Sequence, residues 1–307
     1  MKNPVWRKEM RGTARSVKTS IGLFIFNALL AIWTVGCFCE NIDVTGRIMY
    51  EDYAYISRIY VMLVAVEYIL LAFIVPAVTA GAIAGERERQ TLDILLTTPM
   101  GCWQIIWGKL VSSIGTILLY IVSSLPIFSV VFLIGGVDLP DVVFTVFYAF
   151  VFSVLIGSFG TFFSTLFKRS ILATVTSYGI EIAILVFPYL CYALFYVFFA
   201  NENNLSNEEV PSWIVGLGLF SPIQSLISLL CVQVASEGIY KEYCLFSINE
   251  DSIWHSLTVQ EWFWLSVVIQ IMVAAFMLFL ATKRLNPLRK TFRVDGTQRI
   301  KKDEGNS

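Results

Sequence analysis

Two carboxylates stand inside long apolar stretches of this 307-residue chain. Glu67 and Glu181 each lie about ten residues from the nearer end of their stretch, which at about 1.5 Å per residue of helix is near the middle of a bilayer. Apart from Arg58 and Lys109, which lie at the ends of their stretches, the apolar stretches contain no Lys, Arg or His to pair with them. Such a carboxylate is either protonated and hydrogen-bonded to a neighbouring helix, or serves a cation or water path. Glu67 and Glu181 are therefore candidate residues of a transport pathway, with a structural role as the alternative.

A charged segment between the second and third apolar stretches is the other candidate site. Residues 85–99 read GERERQTLDILLTTP. Glu86 with Arg89, and Arg89 with Asp93, have spacings that put opposite charges on one face of a helix. The same segment carries an apolar stripe, formed by Leu92, Leu95 and Leu96. A charged helix with an apolar stripe predicts docking to a partner, unless the stripe packs on the chain's own helices.

Other residues that could do chemistry do not assemble into an enzyme site. Residues 12–19, GTARSVKT, come nearest to a phosphate-binding loop, but Val17 replaces the second glycine and no strand precedes them. The single histidine, His255, makes neither a metal site nor a catalytic set. The six cysteines fit no metal spacing, although Cys231 and Cys244 could pair. We predict no catalytic residue, no metal site and no cofactor in this chain, which is then not itself an enzyme.

The elements that position these residues are predicted to be membrane-spanning helices. The chain is 57% hydrophobic and 15% charged, against about 45–50% and about 25% in soluble domains. Crossing the hydrocarbon takes about 20 apolar residues. The sequence predicts an all-α membrane protein with six spans, at residues 20–38, 57–81, 108–133, 142–167, 171–199 and 262–282.

The distribution of basic residues predicts the orientation of these spans. Nineteen of the 22 Lys and Arg residues precede the first span, lie on the second and fourth loops, or follow the last span; the exceptions are Arg47, Arg58 and Lys241. Because basic residues stay cytoplasmic, both termini are expected inside. The net charge of −1 implies no nucleic-acid partner.

Three segments outside the spans are also predicted. Residues 1–18, with Pro4 where a first helical turn tolerates it, form a cytoplasmic interfacial helix. Residues 200–261 form the outer loop, in which 212–235 is a re-entrant or membrane-surface hairpin, since a seventh span would place the basic tail outside. The transmembrane domain then covers 19–285, and 286–307 form a basic cytoplasmic tail.

Several motifs resemble those of type-2 ABC exporter permeases, and together the resemblance covers the whole chain. The most specific is the 85–99 segment followed by the Gly108-Lys109 pair. The start Asn3-Pro4-Val5 looks like that family's elbow helix. Two further motifs are SPIQSL at 221–226 and TKRLNPLR at 282–289.

The resemblance implies a partner and a mechanism. The cytoplasmic segment 82–100 would be the coupling segment, whose helix over 86–97 docks on a separate ATPase subunit that carries the ATP and magnesium. The docking residues would be Glu86, Arg87, Glu88, Arg89, Thr91, Leu92, Asp93, Leu95 and Leu96. The second and fifth spans, with Glu67 and Glu181, would line a cavity shared with a second permease copy or a homologous permease. The family implies export by alternating access across a prokaryotic plasma membrane.

Two other classes of protein remain open from the sequence. A secondary carrier or channel would use Glu67 and Glu181 as an ion or proton relay, but it has no use for the charged segment from Glu86 to Thr97. A membrane anchor for a signalling complex gains nothing from carboxylates at mid-span. The substrate is not readable, and ions, lipids, peptides and antibiotics all stay open.

Overall fold

The computed structural model describes residues 16–39, 53–91, 102–135, 137–195, 197–198, 212–234 and 258–285. Every regular element in them is helical. The long helices are α1 (Val17–Cys39), α2 (Tyr53–Thr79), α4 (Cys102–Ile134), α5 (Leu139–Leu166), α6 (Ser170–Phe195) and α9 (Val259–Leu285). The shorter ones are α3 (Gly81–Glu88), α7 (Ser212–Leu217), a 3-10 turn (Gly218–Phe220) and α8 (Pro222–Val234).

Six stretches of the described chain are long and apolar enough to cross a membrane, which confirms the predicted all-α membrane fold. They are α1, α4, α5, α6, α9 and a run from Ser57 to Glu88 that joins α2 to α3. The helices extend past most of the predicted spans, furthest where α3 follows the second span to Glu88 and where α4 begins at Cys102. Hydropathy marks where the hydrocarbon ends, whereas a helix continues past it as long as its backbone groups are satisfied.

Helix α5 lies at the centre of the bundle and packs against α2, α3, α4, α6 and α9. It is the most buried of the six candidate spans, while α1 and α6 are the least buried. Small side chains make this possible, because they let helix backbones approach closely in a membrane. Those of α5 that are fully covered include Ser153, Ser158, Thr161 and Ser164.

The segment before α9 is a sharply bent helix pair. The axes of α7 with its 3-10 turn and of α8 differ by 88°. The bend falls at Ser221, whose ψ of 120° is extended, because a residue before proline is pushed out of the helical region and Pro222 can open the next helix. This geometry fits both a re-entrant loop and a broken span, so the hairpin at 212–235 stays a prediction.

Polar side chains fasten α8 to the bundle. Tyr60 Oη lies 2.6 Å from Thr145 Oγ1 and donates to Gln233 Oε1 at 3.1 Å. Gln233 Nε2 donates to the carbonyl of Asp141 at 2.8 Å. These bonds join α2, α5 and α8 at one end of the bundle. At the other end, where α3 finishes (the Glu88 end), lie residues 85–91, the described part of the charged segment.

Candidate coupling site and buried carboxylates

Glu86 is held by the third span rather than by its own helix. Its Oε1 lies 2.5 Å from Lys109 Nζ on α4, and the two side chains are 26% and 9% exposed. The spacing rule paired Glu86 with Arg89, but α4 brings a lysine into contact that is 23 positions away in sequence. Breaking a shielded ion pair is costly because it leaves one charge uncompensated. The pair therefore fixes the end of α3 against α4.

Arg87 caps the C-terminal end of α5, and Glu88 caps the N-terminal end of α6. The Arg87 guanidinium donates to the carbonyls of Thr165 and Phe167, at 3.0 to 3.3 Å, where α5 ends. Glu88 accepts hydrogen bonds from the Ser170 amide at 3.0 Å and the Ser170 hydroxyl at 2.7 Å, where α6 begins. Free carbonyls at a helix C-terminus favour a cation, and free amides at an N-terminus favour an anion. We call these two residues and their partners the clasp.

The predicted helix from 86 to 97 is not continuous. Helix α3 ends at Glu88, and Gln90 has a φ of +57° in the left-handed region. The Gln90 amide donates to the Arg87 carbonyl and the Thr91 amide to the Glu86 carbonyl, which is a Schellman ending. Arg89 therefore lies beyond the last residue of α3, and its predicted pairing with Asp93 lies outside the described residues. Sequence reasoning missed this ending because it is usually built on glycine.

The break between α2 and α3 is stabilised by α5. Ser164 Oγ accepts the amides of Ile83 and Ala84, each at 2.8 Å, which supplies acceptors to the first turn of α3. A Cβ on Gly160 would lie 3.0 Å from Thr79 Cβ and 3.3 Å from the Ala80 nitrogen. The glycine thus provides the close approach that Ser164 needs.

Glu67 is buried with a hydrogen-bond partner. Its side chain is 1% exposed, and the Ser124 hydroxyl of α4 donates to its Oε1 at 2.7 Å. The same hydroxyl lies 2.8 Å from the Ile121 carbonyl, and a hydroxyl has one hydrogen to donate. This contact between helices corresponds to the structural alternative for Glu67.

Glu181 is buried without such a partner. The residue is 4% exposed on α6, and neither carboxylate oxygen has a hydrogen-bond partner among the residues that the structure describes. Nor does any hydrogen bond between the described residues connect Glu181 with Glu67. Burying a carboxylate without a hydrogen-bond partner costs free energy. Hydrogen bonding within the described residues does not account for the burial of Glu181, which stays a candidate pathway residue.

A polar cluster around the bend before α8 was not among the predicted site residues. Tyr148 Oη lies 2.9 Å from the Pro222 carbonyl oxygen and 3.2 Å from Gln270 Oε1, either of which can accept its one hydrogen. Gln270 Nε2 donates to Ser225 Oγ at 2.7 Å. These bonds connect α5, α8 and α9 in the interior. The available signal was Gln270, a glutamine inside the apolar helix α9.

The remaining predicted docking residues divide into two groups. Arg89 and Thr91 are exposed at the end of α3. Leu92, Asp93, Leu95 and Leu96 lie outside the described residues, as do 1–15, most of the outer loop and 286–307. Within the described part there is no group of His, Cys, Asp and Glu residues that could hold a metal ion.

Comparison with known proteins identifies the family. Residues 4–281 match the profile of the ABC-2 family transporter proteins, and a search of curated proteins finds no match. The match takes in all six candidate spans except the last four residues of α9, together with the charged segment. The chain is a multi-pass membrane protein, and it belongs to the ABC-2 family of transporter proteins.

Proposed function

We propose that this chain is the transmembrane subunit of an ATP-driven exporter, acting with a second permease and with separate ATPase subunits at its Glu88 end. The observation that carries the proposal is the clasp together with the Glu86–Lys109 pair. Three consecutive residues are bonded to α4, α5 and α6, and the next three are exposed. A partner that moves the exposed part would therefore act on three spans at once.

ATP can drive transport through the clasp and the Glu86–Lys109 pair only if it changes the relative stability of two arrangements of the spans. An ATPase pair that closes on ATP would shift residues after Glu88, and the clasp would pass that shift to the ends of α5 and α6. Helix α6 carries Glu181, and it is among the least buried of the candidate spans. Displacement of α6 would change what surrounds that carboxylate, which we propose as a polar group of the substrate pathway.

Docking is tested by placing a charge in the leucine stripe. Leu92→Asp should weaken co-purification with the ATPase subunit, because burying an unpaired carboxylate in an apolar interface is unfavourable. Lys168→Asp is the matched control, an exposed residue on the loop between α5 and α6 at the same end. The docking role would be excluded if both variants co-purified equally well with the ATPase subunit and both transported at the wild-type rate.

The clasp is tested separately from docking. Arg87→Gln and Glu88→Gln remove one charge each but keep polar side chains. Both variants should still bind the ATPase and hydrolyse ATP, while transport per ATP falls because the shift no longer reaches α5 and α6. A secondary carrier, the alternative, would transport without any ATPase subunit when a proton or ion gradient is imposed. That result in reconstituted vesicles would contradict the proposed function.

A further inference from the structure

A groove of about 610 Å³ opens at the Glu88 end between α1, α3 and α4. This volume falls in the range of small-molecule sites, about 300–1,000 Å³. One wall is made of small or apolar residues of α2 and α3: Val78, Gly81, Ala82 and Gly85. The rest is polar and includes Glu86, Arg89, Lys109, Ser112, Ser113 and Thr116.

The depth of the groove is indicated by two tryptophans on α4. Trp103 and Trp107 are each 47% exposed and stack with ring centroids 5.7 Å apart. Exposed tryptophans concentrate at the headgroup level of membranes. Lys109 lies two positions after Trp107, and Thr116 lies nine positions after it. Along a helix these separations are about 3 Å and about 13 Å. The groove therefore runs from headgroup level toward the hydrocarbon.

The groove carries a net positive charge, and the guanidinium of Arg89 is available to bind a ligand. Glu86 and Lys109 neutralise each other at 2.5 Å. The Arg89 side chain has no hydrogen bond or ion pair with any other residue in the described ranges, and it is exposed. The hydroxyls of Ser112 and Ser113 lie deeper in the wall formed by α4 and can donate hydrogen bonds, whereas the Thr116 hydroxyl already donates to the Ser112 carbonyl at 3.2 Å and can only accept. Basic pockets between membrane helices on the cytoplasmic side are suited to anionic lipid headgroups.

The opposite wall leaves room for a ligand. A Cβ built on Gly81 or Gly85 would meet nothing within 4 Å. The spacing of these glycines is typical of close helix packing, but within the described chain no helix packs there. The two glycines instead keep the α3 side of the groove open.

We propose that this groove binds the headgroup of an anionic phospholipid, with its phosphate on Arg89 and the hydroxyl side chains and its glycerol backbone beside Gly81 and Gly85. A soluble anion such as phosphate shares the chemistry of the headgroup. The lipid is favoured because the groove continues below headgroup level and small residues line its deeper wall. Binding at this site needs neither the ATPase nor transport, so it stands or falls independently of the proposed function.

The test uses the purified full chain in detergent, titrated with phosphatidylglycerol, phosphatidylcholine or inorganic phosphate. Bound lipid is counted by native mass spectrometry, and stability is followed by thermal melting. Phosphatidylglycerol should bind and raise the melting temperature, while phosphatidylcholine and inorganic phosphate should do so far less. Arg89→Gln should weaken phosphatidylglycerol binding about five-fold, the expected contribution of one basic residue near an anionic headgroup.

A second variant fills the groove. Gly81→Leu introduces a side chain into open space and should abolish binding, whereas Gly36→Leu, at an exposed helical glycine of α1 with nothing within 4 Å, should bind like wild type. Wild-type binding by both Gly81→Leu and Arg89→Gln would overturn the proposal. Equal binding of both lipids would overturn it as well. A full melting shift with inorganic phosphate alone would show a soluble-anion site and also overturn it.

Discussion

At the scale of single residues, the two buried carboxylates differ in how their oxygens are satisfied. Glu67 has Ser124 as a partner, whereas both oxygens of Glu181 lack one among the described residues. Because Ser124 has one hydrogen and two nearby acceptors, a protonated Glu67 could donate to Ser124 while Ser124 donates to Ile121. A glutamine amide could replace the acid in that arrangement. Glu181 has no comparable hydrogen bond to a neighbouring helix among the described residues.

We therefore expect opposite results from glutamine substitutions at the two positions. Glu67→Gln should transport normally and melt like wild type, and Glu67→Leu should destabilise slightly, since a hydrogen bond between membrane helices is worth about 0.6 kcal/mol. Glu181→Gln should impair transport without lowering the melting temperature. Transport and melting are measured for each variant across pH. Wild-type rates and pH dependence for Glu181→Gln would remove it from the pathway.

The substitution Gln90→Gly distinguishes two backbone conformations, because it should stabilise one of them and destabilise the other. A non-glycine residue in the left-handed region costs about 1–2 kcal/mol, so Gln90→Gly should strengthen the ending of α3. If residues 86–97 formed one helix, glycine at its interior would weaken it by about 1 kcal/mol. Hydrogen exchange at the Gln90 and Thr91 amides, which donate to Arg87 and Glu86, measures the difference. Faster exchange in Gln90→Gly would contradict the Schellman ending.

At the scale of elements, the contact of α5 with the α2–α3 break depends on one glycine. Gly160→Ala would push a methyl group into Thr79 and the Ala80 backbone, and overpacking of this kind costs about 1–3 kcal/mol. We expect a lower melting temperature. Gly179→Ala on α6 is the matched control, because a Cβ there meets nothing within 4 Å and alanine favours a helix over glycine. Equal melting temperatures for the two variants would show that α5 does not pack this closely.

Sequence patterns predicted elements better than the contacts between them. The six spans follow from apolar length, and the importance of the segment after Gly85 follows from its charges. The partners of those charges do not, because Lys109, Thr165 and Ser170 are brought to Glu86, Arg87 and Glu88 by helix packing. The end of α3 was missed for a local reason: nothing about glutamine signals a left-handed residue. Burial at 67 and 181 was predictable, but the partner of Glu67 depends on the register of α2 against α4.

At the scale of the whole molecule, orientation decides what the Glu88 end can do. The clasp, the groove and the exposed Arg89–Thr91 all lie at this end. An ATPase that uses cytoplasmic ATP can reach them only if this end is inside, as the basic residues predict. The bent pair of α7 and α8 bears on the same question. If it crossed the membrane fully, the chain would have a seventh span and its basic tail would lie outside.

Labelling of single cysteines from outside intact cells tests this arrangement, after the six native cysteines are replaced. A membrane-impermeant maleimide should label Tyr240→Cys in the outer loop, and it should not label Gln90→Cys or Asp295→Cys until the membrane is permeabilised. Gln90 is exposed, so its protection in intact cells would reflect the membrane and not burial in the protein. Labelling of Asp295→Cys alone would mean that the bent pair is a full span. Labelling of both Gln90→Cys and Asp295→Cys with protection of Tyr240→Cys would invert the topology, and a cytoplasmic ATPase could then not dock at the Glu88 end.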